Sequence, residues 1–486
     1  MDATEALQMV NRIYDRLNGR RDEIRKREDY YAGKQPLSFA TEEWRKANAA
    51  RYSGFSDNWC HPVVDAEGER IRHTGIKFGR TDSDMAAAKR LWEQWLLNDM
   101  EMQSSQGFVT SLSAARSFVI VWGDGEGNPI DSWEHPASVE VEYDAQNVRK
   151  RVAALKTWAD DDNEFATLYE PNAVWKFQRS RFRNTNLELS QAQQERIFGR
   201  LTGGWEPRQP STDDTWPLPN PIGEVPVVEV PNRPMLAGDP ISEIEGVMPM
   251  QDAINLLWAY LFLAADYASM PARVVLHQGP PMMPVLDKNG KQIGEKPVDM
   301  KELQEKRLLY LSGKDTTIDS WEAAKLDVFT DQIEIGVGHI AAQTRTPPTY
   351  LVTKAGMSNV NGEGLKASEI GLVKKTLEFT SFATPAMREV HRLNALVLGD
   401  KPLAQMVRLA TMTWMNPEIR SEAQLADMLM KKKSIGYPLE YLMELDGIDP
   451  LDIERIMTMR ENELNDPQIA AATRELQKLG NTPVGG

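Results

Sequence analysis

The stretch Ser242–Met270, SEIEGVMPMQDAINLLWAYLFLAADYASM, decides how the chain is read. It predicts one long helix, apolar on nearly all sides. A helix of that kind is buried on all sides. In a non-membrane protein this implies packing between subunits as well as within one. Ile254, Leu257, Trp258, Leu261 and Phe262 are the candidate interface residues. The most apolar run, Ala253–Ala265, is shorter than the about 20 residues a bilayer span requires, so no membrane partner is expected.

N-terminal to this helix the pattern changes twice. Residues 4–31 are rich in Arg and Glu, with Leu7, Val10, Ile13 and Leu17 at helical spacing. Further helices are expected over Pro62–Arg72, Met85–Asn98 and Met102–Arg116. Strands follow. SFVIVW (117–122), the turn cluster GDGEGNP and IDSWEHP form a hairpin signature. VEVEYD, AALKTWAD, FATLYEPN and AVWKFQR continue it as an antiparallel sheet. Glu188–Pro221 reads as a long loop or insertion, and VPVVEVPNRP (225–234) as a last extended piece.

C-terminal to the central helix, residues 271–318 read as a small α+β insertion with strands in ARVVLHQG and RLLYLSG. Residues 324–343 return to helix. TPPTYLVTKAGMSNVNGEG is a polar loop. Gly364–Leu398 is a long helix with an expected kink at Pro385. Asn416-Pro417, Asp449-Pro450 and Asp466-Pro467 each place a good N-cap before a proline, marking three helix starts, with Gly436 and Gly447 as stops.

Composition bounds the function. The 486 residues include 56 basic and 71 acidic side chains, a formal net charge of -15. A protein that grips DNA tightly shows a basic stripe, and this chain shows none as a whole. One cysteine, Cys60, excludes an intrachain disulfide and Cys-x-x-Cys chemistry. The N-terminus has no apolar signal-peptide core. Expected surroundings are therefore reducing.

The motif search for an enzyme is negative. The six histidines make no zincin pair. No Walker loop, dinucleotide fingerprint or Gly-x-Ser-x-Gly elbow is present. Asp124–Asn128 faintly resembles a calcium loop, but Pro129 and His135 occupy the wrong positions, so it reads as a β-turn. Asp57–Ala66 gathers Asp, Cys and His, and reads as a loop entering a helix. Lys431–Lys433 reads as a solvated helix end. No catalytic, metal or cofactor residues are assigned.

Against this background the sequence resembles the portal proteins of tailed bacteriophages, siphophage type, most like those of actinobacterial phages. YYAGKQPL (30–37), NWCHPVVDAEGERIRHTGIKF (58–78) and WLLNDMEMQSSQGFVTSLSAARSFVIVWGD carry the first half of the resemblance. PIGEVPVVEVPNRP, SEIEGVMPMQDAINLL, TRTPPTYL, the helix around Lys366–Glu369 and EAQLADMLMKKKSIGYPLEYLMELDGIDPLDIERI carry the second. The ordered series, over most of residues 28–460, is what is specific. Glu188–Trp216 and 271–318 depart from it.

The resemblance implies an α+β portal fold: mainly helical, with an antiparallel β wing region, long stem helices, a small α+β clip and a helical crown. It places the wing at 1–240 and 363–415, stem helices at 241–270 and 319–345, the clip at 271–318, a tunnel loop at 346–362 and the crown at 416–486. It implies a non-enzymatic homo-oligomeric ring of about twelve subunits at one capsid vertex of the virion, assembled in the host cytoplasm. DNA would enter and leave through it. The implied partners are the terminase large subunit, the head–tail adaptor, the major capsid and scaffolding proteins, and double-stranded DNA met without sequence preference. Lys354, Ser358, Asn359 and Asn361 of the tunnel loop are the implied channel contacts. A metal-dependent nuclease with scattered carboxylates, or another phage head protein, remain the alternatives.

Overall fold

A computed structural model of the chain describes residues 2–35, 55–79, 81–180, 204–208, 215–269, 273–276, 282–287, 290–297, 317–320, 325–351, 362–418 and 422–465. The chain divides into two compact units. One comprises Met1–Pro36, Ser56–Gln251 and Val337–Gly486; the other comprises Leu37–Phe55 and Asp252–Gly336.

The first helix, α1 (Ala3–Tyr31), begins at a capping box. Asp2 Oδ1 accepts from the backbone N–H of Thr4 and Glu5 at 2.9 and 2.8 Å, and Glu5 Oε2 accepts from the Asp2 N–H at 2.9 Å. Such a cap stabilises a helix by about 1 kcal/mol. Its buried stripe is Ala6, Met9, Val10, Ile13, Leu17, Ile24 and Tyr30, the expected phase. Next come α2 (Cys60–Gly68), β1 (His73–Lys77), α3 (Asp82–Leu97) and α4 (Met100–Ala114). The expected helix over 62–72 stops at Gly68 because Arg70 turns inward, where its Nη1 bonds the Pro417 carbonyl at 3.0 Å.

Strands then run as read: β2 (Arg116–Gly123), β3 (Pro129–Glu134), β4 (Val139–Tyr143), β5 (Arg151–Ala159), β6 (Asn163–Tyr169) and β7 (Ala173–Ser180). Short strands β8 (Glu206–Pro207) and β9 (Leu218–Pro219) both pair with β7, and β10 (Val227–Pro231) follows. All pairings are antiparallel, in the orders β10-β2-β3 and β4-β5-β6-β7-β8. Alternation sorts the side chains. Ala153 and Leu155 of β5, Ala166 and Leu168 of β6, and Trp175 and Phe177 of β7 pack in one core with the α1 stripe. Ala154 points the other way, into a second core with Phe118, Ile120, Val139, Val141 and Val227. Arginines of α1 lie across β4: Arg12 pairs with Glu142 at 2.6 Å and Arg16 with Glu140 at 2.7 Å.

The central helix, α5, spans Met248–Ser269 and starts six residues later than the sequence implied. Residues 243–247 form turns instead. The Glu243 N–H and the Ser242 hydroxyl both bond the Leu112 carbonyl, which holds this segment against the end of α4. Within the second unit, β11 (Arg273–Leu276) pairs with β14 (Thr317–Ser320), and β12 (Met282–Leu286) with β13 (Gln292–Pro297). The strand expected in RLLYLSG lies outside the described residues.

Helix α6 covers Asp327–Thr344 and a short α7 covers Pro348–Leu351, where the sequence read a loop. Helix α8 (Gly362–Val397) runs through Pro385 over 36 residues. Two elements went unread: α9 (Lys401–Val407) and β15 (Thr411–Trp414). Strand β15 pairs with β1, His73 opposite Trp414. The C-terminal region is helical: α10 (Glu422–Ser434), α11 (Leu439–Asp446) and α12 (Pro450–Asn465). Pro450 does start a helix. Asn416 does not cap one; its Oδ1 bonds the Glu418 N–H at 3.0 Å, a local Asx turn. Gly436 and Gly447 stop helices in the left-handed region, at φ 95° and 88°. Asp466-Pro467 lies outside the described residues.

One close approach fixes how α4 sits on the sheet. A Cβ on Gly107 would lie 1.9 Å from the Trp133 ring. That ring cannot swing freely. Its Nε1–H donates to Ser117 Oγ at 2.8 Å, Ser117 contacts Ser111 Oγ at 2.7 Å, and Ser111 donates to the Val230 carbonyl at 2.8 Å. Gly107→Ala is therefore expected to destabilise the fold by about 1–3 kcal/mol despite alanine's better helix propensity. Thermal unfolding checks it; an unchanged or raised Tm would contradict the packing described.

Candidate functional site

Helix α5 carries the five residues expected at a subunit interface. Ile254 is fully buried and Leu261 nearly so within this one chain. Leu257, Trp258 and Phe262 are half-buried, and Tyr260 is 38% exposed. The helix is thus not buried on all sides by its own chain. Trp258 and Phe262, one turn apart, bring their rings within 5.5 Å, and Phe55 packs edge-on against Phe262 at 5.2 Å. Within the set Leu257, Trp258 and Phe262 stay partly exposed, while Tyr260, outside it, lies on the opposite side of the helix. Lys354, Ser358, Asn359 and Asn361 all lie outside the described residues.

Helix α8 is the polar hub of the first unit. Lys375 is almost fully buried, with its Nζ 2.9 Å from Glu67 Oε2 of α2 and 2.7 Å from Glu243 Oε2. Arg233 Nε also reaches Glu243, at 2.7 Å. Burial pushes the Glu67 carboxyl up to about 7, with Lys375 pulling against it. Two turns from the C-terminal end of α8, His391 faces His73 of β1 across 3.1 Å between Nε2 atoms. The hydrogen bonds settle the tautomers. His73 Nδ1 lies 2.9 Å from the Thr413 carbonyl and must donate to it. Its Nε2 then accepts, so His391 carries its proton on Nε2. Burial among Trp92, Trp95 and Trp414 lowers His73 to about 4 and His391 well below its ordinary value. Both rings are neutral.

One turn further, Asn394 Nδ2 donates to buried Asp131 Oδ2 of β3 at 2.8 Å. Burial raises Asp131 to about 7. Its Oδ1 and Asn394 Oδ1 have no hydrogen-bond partner. These groups hold α8 to α2, β1 and β3, and their close pairing makes them structural ties.

No three His, Cys, Asp or Glu side chains converge on a metal position among the described residues. The Asp124 loop is a turn: its Oδ1 accepts from the Glu126 and Asn128 N–H groups at 2.7 and 3.0 Å. Cys60 is buried at the start of α2. His61, on the same helix, pairs with Asp65 at 2.8 Å. His339 is exposed on α6. Lys431 pairs with Asp427 on the surface of α10. Among the described residues no helix is long and apolar enough to cross a membrane.

Sequence reasoning did not single out Lys375, His73 or Asp131. A signal existed for Lys375: it falls on the stripe Leu372, Thr376, Phe379, while Lys374 beside it is exposed. The histidine pair left none, since its members are 318 residues apart.

Comparison with known proteins bears on the whole chain. Residues 10–465 match the family model described as "Phage portal protein, SPP1 Gp6-like". The chain is 26% identical over 384 residues to the portal protein of Mycobacterium phage L5, covering 76% of this chain and 70% of that one. It is 25% identical over 382 residues to the portal protein of Mycobacterium phage D29, with the same coverage. Among solved structures it is similar to a chain in the neck of an empty GTA particle with C6 symmetry, at TM-score 0.43, 11% identity and coverage of 84% and 92%. A native GTA neck with C12 symmetry gives TM-score 0.44 at 10% identity, covering 87% and 99%. The match to the family model over residues 10–465 places this chain in the phage portal protein family.

Proposed function

We propose that the chain assembles into a closed ring of about twelve copies at one capsid vertex, and that this ring conducts double-stranded DNA during packaging and ejection without chemistry of its own. The family match over residues 10–465 carries the reading. In it, the terminase large subunit docks first and the head–tail adaptor later, and the capsid and scaffolding proteins surround the ring. Residues 1–240 and 363–415 act as the wing, 241–270 and 319–345 as the stem, 271–318 as the clip, 346–362 as the tunnel loop and 416–486 as the crown.

Physical arguments support this assignment. A heterologous contact that closes into a ring buries surface on both flanks of every subunit, and α5 leaves Leu257, Trp258, Tyr260 and Phe262 partly open for such a contact. A conduit for any genome must hold DNA weakly. A net charge of -15 opposes tight electrostatic binding. Lys354, Ser358, Asn359 and Asn361 supply the short-range contacts in this scheme.

Native mass spectrometry of the purified chain, with negative-stain images of the same fraction, tests the reading. The expected result is a ring of about twelve or thirteen subunits with a central hole. A monomer or dimer across salt and protein concentration would overturn it.

A further inference from the structure

The six-stranded sheet gives one face to α1. The other face holds an open groove of about 640 Å³, within the roughly 300–1,000 Å³ of ordinary ligand pockets. A cross-strand row of Lys156, Thr167 and Lys176 forms its floor, set by the β5–β6–β7 register. Trp122 and Tyr169 form an apolar wall, with ring centroids 5.8 Å apart. Among the described residues Glu134 is the only acid lining it, and it already pairs with Lys156.

Arg208 sets the chemistry. Its guanidinium sits 5.4 Å from the Trp158 ring and 4.9 Å from the Phe165 ring, themselves stacked at 5.4 Å. No carboxylate of the described residues pairs with it, and its Nε is buried without a hydrogen-bond partner. Burial lowers its pKa and no acid acts against that. The two rings restrict the guanidinium, and a restricted donor fork is suited to a planar oxyanion.

We propose that this groove binds an acidic peptide segment of a partner protein, with a carboxylate in the Arg208 fork and an apolar side chain against Trp122 and Tyr169. A peptide fits better than single-stranded nucleic acid for two reasons. Base binding uses open aromatic faces, and here Arg208 lies over both rings of the Trp158–Phe165 pair. A polyanion also meets the repulsion of a chain with net charge -15, whereas a short segment brings only a few charges. The proposal does not depend on ring formation.

Fluorescence anisotropy on the full chain tests it. The probe is a short fluorescein-labelled peptide of Glu, Leu and Trp, compared with its Gln-for-Glu counterpart and with a labelled oligothymidylate. The acidic peptide is expected to bind at least about tenfold more tightly than the Gln peptide. Arg208→Ala should weaken it by a similar factor with Tm unchanged. Should Arg208→Ala not fold, Arg208→Lys makes the same test, because it keeps the charge and loses the fork; a several-fold loss is expected. Equal binding of the two peptides, or no effect of either substitution, overturns the proposal. So does Arg208-dependent binding of the oligothymidylate in place of the peptide. Binding that emerges only after Asp213 and Asp214 are replaced by Asn would mean that the chain's own acidic residues compete for the groove, and the partner reading would fall.

Discussion

Lys375→Met is expected to lower the unfolding free energy by about 3–5 kcal/mol, the largest loss from any single substitution considered. The ammonium is the cation between Glu67 and Glu243, with all three side chains buried. Methionine fills the volume but leaves Glu67 without its direct ion-pair partner, with only the more distant Arg233 acting on it, while Glu243 keeps Arg233. An isolated buried carboxylate is the expensive product, so the loss should be concentrated at Glu67. The double variant Glu67→Gln, Lys375→Met should therefore recover about 1–3 kcal/mol of it. Urea denaturation of the two single variants and the double closes the cycle. Additive losses would show that the pair is not coupled and that Lys375 matters for packing alone.

Asp131→Asn has the opposite sign. Asp131 titrates at about 7 in the fold against an ordinary 3.8. The folded protein holds a proton there that the unfolded chain releases, so stability falls as pH rises from about 4 to about 7. Asparagine removes that dependence. It also replaces the partnerless Oδ1 with a donor, opposite an Asn394 that has a partnerless acceptor. The variant should be about 2–4 kcal/mol more stable than the parent at pH 8 and near-equal to it at pH 4. Thermal unfolding of both proteins across that range is the measurement. A gain independent of pH, or a loss at pH 8, would mean that Asp131 is ionised in the fold. The comparison must be between variant and parent. Buried His73 and His391 are lowered, so they withdraw stability as pH falls from about 6.5 toward 4, against the trend of Asp131 and Glu67.

Much of the fold was legible where short-range periodicity decides it. The α1 stripe and the strands from Arg116 to Ser180 follow from helical spacing and alternation. Several of the errors share one cause, a distant partner that overrides local pattern. Residues 243–247 suit a helix, yet the end of α4 and Lys375 hold them in turns. HTGIK and TMTW are too short to announce strands, and each becomes one because the other is there. The site was less legible. Burial of Ile254 and Leu261 by the chain itself could not be told from burial by a neighbouring subunit, since both leave the same apolar spacing. The Arg208 groove needs three strands and a residue within the expected insertion to come together. The resemblance to portal proteins came from an ordered series of segments, none decisive alone, and the family match spans the stretch of chain that carries them.

The pairing of β1 with β15 also sets a timetable. His73 meets the Thr413 carbonyl 340 residues further along the chain. At about 5–20 residues per second on the ribosome, that partner emerges on the order of 20–70 s after His73. Through that interval His73, Trp92 and Trp95 have neither β15 nor the end of α8 to bury them. The larger unit cannot close until the whole of Asp252–Gly336 has been made. Closure of this part of the fold is thus tied to late synthesis, which keeps nascent chains from acquiring its final surface, and any self-association that needs it, until the residues of β15 have been made.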